Sequence, residues 1–314
     1  MRSLIGFIST LLLALPAVAS VLKLEDGTRV AVEIKRGTTD DVFVLVNGLI
    51  YATDRWDEVA TQLNAKGATV VRYALPGQPE NLRLLKRNEE PNYFAHGLDA
   101  KDMIENLRLV LKAAHITAPV HLVGLSYGAS VAAEFANAYP DAVADITFVS
   151  PLVISTDEYT TEGAAAREWL DSVRFWENSP CTIYGALNPF LCVGQDYWYD
   201  SFYKMIYQPY LDGRIQDIPE GVDAATFKKA VFHLVRAARD FDLKKEIQTL
   251  HNVSMYVASL EEKSLAADQK IAWKNVPQNE RGEFVVFKGA HHALPDEAPK
   301  ALAEELLAGL SRAL

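Results

Sequence analysis

Val120-His121-Leu122-Val123-Gly124-Leu125-Ser126-Tyr127-Gly128 is the stretch that decides the fold. Its first four residues are a short apolar run rich in β-formers, preceded by Pro119, and read as a central strand buried on both faces. Beyond it the period changes. Ala129, Val131, Ala132, Ala133, Phe135 and Ala136 recur at helical spacing until Tyr139-Pro140-Asp141 stops the run. Between strand and helix stands a serine flanked by glycines, the spelling of a sharp turn that lifts a serine nucleophile out of the sheet. Such a turn strains the serine backbone and brings neighbouring chain so close that Gly124 and Gly128 can carry almost no side chain. The pattern alone arises often by chance, so the strand before it and the helix after it carry the reading.

Working outward, strand and helix keep alternating. Upstream, a helix from about Asp99 to Ala114 has apolar residues at 100, 103, 104, 107, 110, 111 and 114, a period of about 3.6. Before it come a strand over Thr69 to Tyr73, a helix around Trp56 to Leu63, and the nearly continuous apolar run Asp41 to Val46, which opens into a loop at Asn47-Gly48. Val21 to Glu25 and Thr28 to Lys35 alternate around Asp26-Gly27 and predict an antiparallel hairpin. Downstream, Ala144 to Val149, Val253 to Ala258 and Phe284 to Phe287 read as strands, and Asp296 to Leu310 as an amphipathic helix. This order predicts an α/β fold, a mostly parallel sheet wrapped by helices. From Leu152 to Asp240 the rhythm breaks and aromatics crowd together, densest at Tyr197-Trp198-Tyr199, Phe202-Tyr203, Tyr207 and Tyr210. The organisation expected is a core of residues 20–151 and 241–314, with 152–240 inserted as a mainly helical cap over the carboxyl ends of the strands.

The chain has 314 residues, 49% of them hydrophobic, enough for a substantial core, and a net charge of -10. Without basic clusters or a basic helix face, nucleic acid and anionic membrane are poor partners. Met1-Arg2-Ser3, the apolar Leu4 to Leu15, and Ala17-Val18-Ala19 before Ser20 have the layout of a secretory signal peptide over 1–19, so an exported chain, periplasmic or secreted, is expected. An uncleaved anchor is the alternative, and no later segment is long and apolar enough for stable membrane insertion. Cys181 and Cys192 are the only cysteines. In an exported protein they could form a disulfide, or they could be two separate buried thiols. No Cys-x-x-Cys or His-Glu-x-x-His spacing suggests a metal.

A serine hydroxyl needs a base within reach and a third group to orient that base. Of seven histidines, only His291 and His292 lie in a loop after a late apolar strand, within Gly289-Ala290-His291-His292-Ala293-Leu294-Pro295. His121 begins the strand before Ser126, His115 and His233 fall on expected helices, and His96 and His251 sit in loops without supporting context.

From about residue 21 to the end, the chain resembles the α/β-hydrolase superfamily, clearly in the core and little in the cap. Members carry His-Gly after the third strand, Gly-x-Ser-x-Gly after the fifth, an acid after the seventh and Gly-x-Gly-His after the eighth, in the chain order serine, acid, histidine. Here Asn47-Gly48, Gly124 to Gly128 and Gly289-Ala290-His291-His292 take the first, second and last places. The resemblance implies Ser126 as nucleophile and His292 as base, with His291 standing where glycine is usual and a role for it left open. For the acid it points into Ser259-Leu260-Glu261-Glu262, with Glu262 first, Glu261 second, and Asp268 or Asp157 as outsiders. Without the resemblance the two glutamates would read as a solvated acidic turn beside Lys263. The oxyanion donors implied are the backbone amides of Tyr127 and Leu49. Tyr73-Ala74-Leu75-Pro76-Gly77-Gln78-Pro79 departs from the family by lacking Gly-His-Gly.

The activity implied is cleavage of a carboxylic ester, thioester or amide through an acyl-enzyme on Ser126, with no cofactor. The aromatic cap suggests a small, apolar acyl substrate, although the same aromatics could equally be a packed subdomain core. A proline-iminopeptidase-like peptidase and a catalytically inactive binding protein on the same fold are the competing expectations.

Overall fold

The structure, a computed structural model, describes residues 20–49, 51–86, 89–153, 199–200, 202–204, 218–261 and 263–310. The signal-like segment, Cys181, Cys192, Asp157, Glu262 and most of the expected cap lie outside these residues. No helix among the described residues is long and apolar enough to cross a membrane.

Eight strands form one sheet in the order β1-β2-β4-β3-β5-β6-β7-β8. They are β1 (Ser20–Lys23), β2 (Arg29–Lys35), β3 (Val42–Val46), β4 (Thr69–Tyr73), β5 (Val120–Leu125), β6 (Val143–Val149), β7 (Val253–Ala258) and β8 (Arg281–Phe287). β1 and β2 pair antiparallel across the Asp26-Gly27 turn, where Gly27 takes a φ of 88°, and β2 pairs antiparallel with β4. From β4 onward every pairing is parallel. The carboxyl ends of β3 to β8 therefore share one edge of the sheet, where loops can converge.

The sheet is covered on both faces, so β3 is apolar at every position and the strands beside it are largely so. In β3, Val42, Val44 and Val46 pack into the larger apolar cluster, while Phe43 and Leu45 pack into the other. The larger cluster contains α4 (Ala100–Ala113) and α5 (Tyr127–Ala138); the second contains α1 (Asp57–Ala65) and the 299–310 helix. Each fully buried Val, Leu or Phe contributes about 1.5–3 kcal/mol, which makes this two-faced burial the main stabilising effect. The one charge within β4, Arg72, lies opposite Glu33 of β2, and its guanidinium is held by Glu33, Asp57 and the carbonyl of Thr53.

Several boundaries differ from expectation for identifiable reasons. α4 begins at a capping box in which Asp99 and Asp102 each accept from the other's backbone N–H, and it stops before His115, whose φ of 57° ends the helix rather than continuing it. β8 starts three residues before its apolar run, because an edge strand tolerates Arg281, Gly282 and Glu283 on its open side. The terminal helix is two helices, Leu294–Glu297 and Pro299–Leu310, broken at Ala298 because the residue before a proline is driven out of helical conformation.

Inside the stretch expected as cap, the described residues include a helix over Ala224–Ala238. Phe202 and Tyr203 are buried against it, Phe202 edge-on to Phe232 at 5.1 Å and Tyr203 facing Phe227 at 6.1 Å. These aromatics are committed to packing.

Candidate active site

Ser126 sits between β5 and α5 with φ 53° and ψ -117°, a conformation that costs an L-residue about 1–3 kcal/mol and must be held by its surroundings. Those surroundings are backbone. Ser126 N donates to Val149 O at 2.9 Å, and Ser126 O accepts from Ala129 N at 3.0 Å and Leu152 N at 3.2 Å. The two glycines of the turn are required by contact. A Cβ on Gly124 would stand 2.5 Å from Gly128 O and 2.7 Å from Ala129 Cα, and one on Gly128 would stand 2.4 Å from Val46 O.

The loops after the other strands are tied to this turn in sequence across the sheet edge. Ser150 N, just past β6, donates to Tyr256 O of β7 at 2.7 Å; past β7, Ser259 N donates to Phe287 O at 3.0 Å and Leu260 N to Ala290 O at 2.9 Å. Ser259 Oγ accepts from Gly289 N at 2.8 Å. The loop carrying the histidines is thereby fixed to the loop carrying the glutamates.

Within that junction His292 Nδ1 lies 2.8 Å from Glu261 Oε2. The glutamate side chain is only 3% exposed and the histidine side chain 20%. A buried carboxylate at Nδ1 places the ring proton there and leaves Nε2 with a free lone pair, the tautomer a general base requires. Glu262, the first choice for this partner from sequence, lies outside the described residues, and the contact is made by the second choice, Glu261. Asp268 lies on the 263–275 helix. His291 turns away: its side chain is 49% exposed, and Glu297 accepts from its backbone N–H at 2.7 Å and sits 3.2 Å from its Nδ1.

The loop after β3 approaches the serine from the other side. A Cβ on Gly48 would stand 3.5 Å from Ser126 Cβ and 2.9 Å from Tyr51 Cδ2. Leu49 follows directly, and Tyr127 is the first residue of α5, where the helix N-terminus favours negative charge. Neither the Leu49 nor the Tyr127 backbone N–H finds an acceptor among the described residues. Tyr127 itself is fully buried edge-on to Phe241 at 5.5 Å, and its hydroxyl finds no partner among the described residues; burial, then the nearby Asp240 and Tyr73, push its pKa well above the ordinary range. Its side chain is thus a packing element.

Two residues that the sequence marked only as departures from the family's pattern shape this loop. Asn47, fully buried, accepts from Trp56 Nε1 at 2.7 Å and donates through Nδ2 to Tyr51 O at 2.9 Å. Gln78, also fully buried, donates through Nε2 to Gly48 O at 2.7 Å. The available signal was an amide side chain at each place where the chain departs from its relatives. An ion pair between Arg55 and Asp296 at 2.6 Å links this side of the site to the segment after His292.

The remaining histidines serve elsewhere. His121 pairs with Asp145 at 2.6 Å at the opposite end of β5, His251 faces Glu280 at 3.1 Å, and His233 is stacked on Phe94 at 5.4 Å.

Residues 43–305 match the Alpha/beta hydrolase family. Among curated proteins no sequence matches the chain. Solved structures with the same fold include MGS-M2, an alpha/beta hydrolase enzyme from a Medee basin deep-sea metagenome library, at 20% identity and TM-score 0.63, covering 93% of this chain and 97% of that one. A bromoperoxidase from Bacillus anthracis matches at 17% identity and TM-score 0.63, covering 93% and 99%. An esterase from Thermogutta terrifontis matches at 17% identity and TM-score 0.60, covering 94% and 98%. With the sheet order, the strained serine between β5 and α5 and the family match over most of its length, the chain belongs to the alpha/beta hydrolase family.

Proposed function

We propose that this protein is a serine hydrolase that cleaves a carboxylic ester, thioester or amide. The observation that carries the reading is the buried Glu261 carboxylate against His292 Nδ1, on a loop at the carboxyl edge of the sheet. In the mechanism, His292 Nε2 takes the proton of Ser126 Oγ as Oγ bonds to the substrate carbonyl carbon. Glu261 stabilises the imidazolium that forms, and the Leu49 and Tyr127 amides receive the oxyanion, each such donor lowering the barrier by about 2.7–4 kcal/mol. Collapse expels the alcohol, thiol or amine, which leaves with the proton from His292. Water then repeats the sequence on the acyl-enzyme and frees the acid.

We assign residues 152–240 to substrate selection and the first nineteen residues to export. Because the described aromatics of that stretch are taken up in packing, acyl-chain preference rests on assay. An esterase among the similar folds makes a carboxylic ester the first substrate to test. A fluorophosphonate probe should label the folded wild type at Ser126 and leave Ser126→Ala unlabelled, and p-nitrophenyl esters of graded length should rank the substrates. A folded wild type that stays unlabelled at neutral pH overturns the reading. Mass measurement of the protein recovered outside the cytoplasm tests export, with a mature start near Ser20 expected.

A further inference from the structure

The loop that would supply the Leu49 amide carries its own lock, and the lock is a side chain on a different loop. Gln78 lies after β4 and is fully buried. Its Oε1 accepts from Leu75 N at 2.9 Å. Since a backbone N–H can only donate, this contact fixes which end of the amide is oxygen, and the nitrogen is then obliged to face Gly48 O, to which it donates at 2.7 Å. Gly48 O receives a second, longer bond from Tyr51 N at 3.4 Å. The Gly48 carbonyl and the Leu49 N–H belong to one planar peptide unit and point in opposite directions, so holding one aims the other. Glycine at 48 is where such a unit would otherwise rotate most easily, because no Cβ limits its ψ. Nor can a larger residue stiffen the position, with Tyr51 Cδ2 2.9 Å and Ser126 Cβ 3.5 Å from where its Cβ would go.

We propose that Gln78 is a positioning residue for the oxyanion site: its buried amide, clamped by Leu75 N, holds the Gly48–Leu49 peptide so that the Leu49 N–H is presented beside Ser126. The inference rests on the hydrolase reading, and it adds the residue that preorganises one of the two donors. Preorganisation of this kind acts on the transition state rather than on ground-state binding, because the donor is aimed at where charge develops.

Two variants test it. Gln78→Met keeps the volume and removes both hydrogen bonds; Gln78→Leu removes them with a shorter side chain. Both are expected to lower kcat on a p-nitrophenyl ester by about 100-fold, the size of a lost oxyanion donor, while KM stays near the wild-type value. Affinity for a trifluoromethyl ketone, which forms a tetrahedral adduct with the serine, should fall by the same factor as kcat/KM. Wild-type kcat in a folded Gln78→Met or Gln78→Leu, or a loss carried by KM alone, overturns the proposal. A crystal structure of Gln78→Met gives an answer independent of turnover: a rotated Gly48–Leu49 peptide supports the lock, and an unmoved one refutes it. An unlabelled, inactive wild type would instead refute the hydrolase reading, with the peptide lock still decided by that structure.

Discussion

Gly128→Ala sets two opposing effects against each other at the serine turn. Gly128 lies in the first turn of α5, so helix propensity alone favours alanine by up to about 1 kcal/mol. Against this, the new Cβ would stand 2.4 Å from Val46 O, 2.5 Å from Asn47 O and 2.8 Å from Val46 C. Carbon–oxygen contacts ordinarily begin at about 3.3 Å, so the gap between α5 and the end of β3 must open by about 0.9 Å. These are backbone atoms that cannot rotate aside, and Val46 is held in the sheet in register with Gly124. Forced overpacking costs about 1–3 kcal/mol, so the expected net effect is a destabilisation of about 1–2 kcal/mol. The larger consequence is catalytic. Val46 and Asn47 lead into Leu49, and moving that loop by about 1 Å from the Tyr127 amide should lower kcat by about 100-fold. Gly27→Ala is the control. Its φ of 88° also strains an alanine, but nothing lies within 4 Å of the added Cβ, so a loss of about 1–2 kcal/mol with unchanged kcat is expected. Urea midpoints and p-nitrophenyl ester turnover on the three proteins read both quantities. A Gly128→Ala protein as stable and as active as wild type would refute the contact argument.

Glu261→Gln should leave His292 in the wrong tautomer and cut kcat by about 10³- to 10⁴-fold, while Glu262→Gln stays near wild type; equal activity in both would move the acid elsewhere. Burial opposes charge on His121, but the hydrogen bond to Asp145 and the charges of Asp145 and Asp41 outweigh it and raise the pKa. The stabilisation from this pair is therefore present below the ordinary imidazole pKa of about 6.5 and lost as pH rises through the raised value. Asp145→Asn should accordingly destabilise more at pH 5.5 than at pH 9 in thermal melts, and a pH-independent difference would contradict it. His233 has the opposite sign: burial first, then the charges of Arg236, Lys229 and His96, push its pKa down to about 3, so the fold loses stability as pH falls from about 6.5 toward that value. His233→Phe should flatten this acid limb, and parallel acid unfolding of the two proteins would exclude His233 as its source.

Much of the framework was legible because it depends on local patterns. The hairpin at Asp26-Gly27, the capped helix from Asp99 and the strand–turn–helix around Ser126 each follow from period and turn chemistry over fewer than twenty residues. Ser126 and His292 could be named as candidates because each sits in a short pattern at a strand end. The choice between Glu261 and Glu262 was not legible, since period and motif do not distinguish adjacent residues on a turn; what the structure adds is the Glu261 carboxylate at His292 Nδ1. The polar beginning of β8 was missed for a related reason: an edge strand does not need an apolar run, so periodicity fails where one side of the strand is open.

Asn47 and Gln78 illustrate a deeper limit. In the sequence they are two unrelated departures from the family's pattern, one after β3 and one after β4. In the structure they meet on one loop. Asn47 holds its far end through Tyr51 O and its flank through Trp56 Nε1, and Gln78 holds its near end through Gly48 O. All three contacts are buried or nearly so, where an unmade hydrogen bond costs about 1–3 kcal/mol, so each amide makes the other's geometry harder to leave. The two departures therefore compensate as a pair. An amide is suited to this because it can accept with one end and donate with the other, and a loop that must keep a donor aimed at Ser126 requires both its carbonyls and its flanking N–H groups to be occupied elsewhere. Replacing Gln78 by a hydrocarbon of equal size would take the acceptor from Leu75 N and leave Gly48 O only the longer bond from Tyr51 N, and replacing Asn47 would take the acceptor from Trp56 Nε1, both beside the proposed oxyanion donor, where rotation of a peptide would be most damaging to turnover.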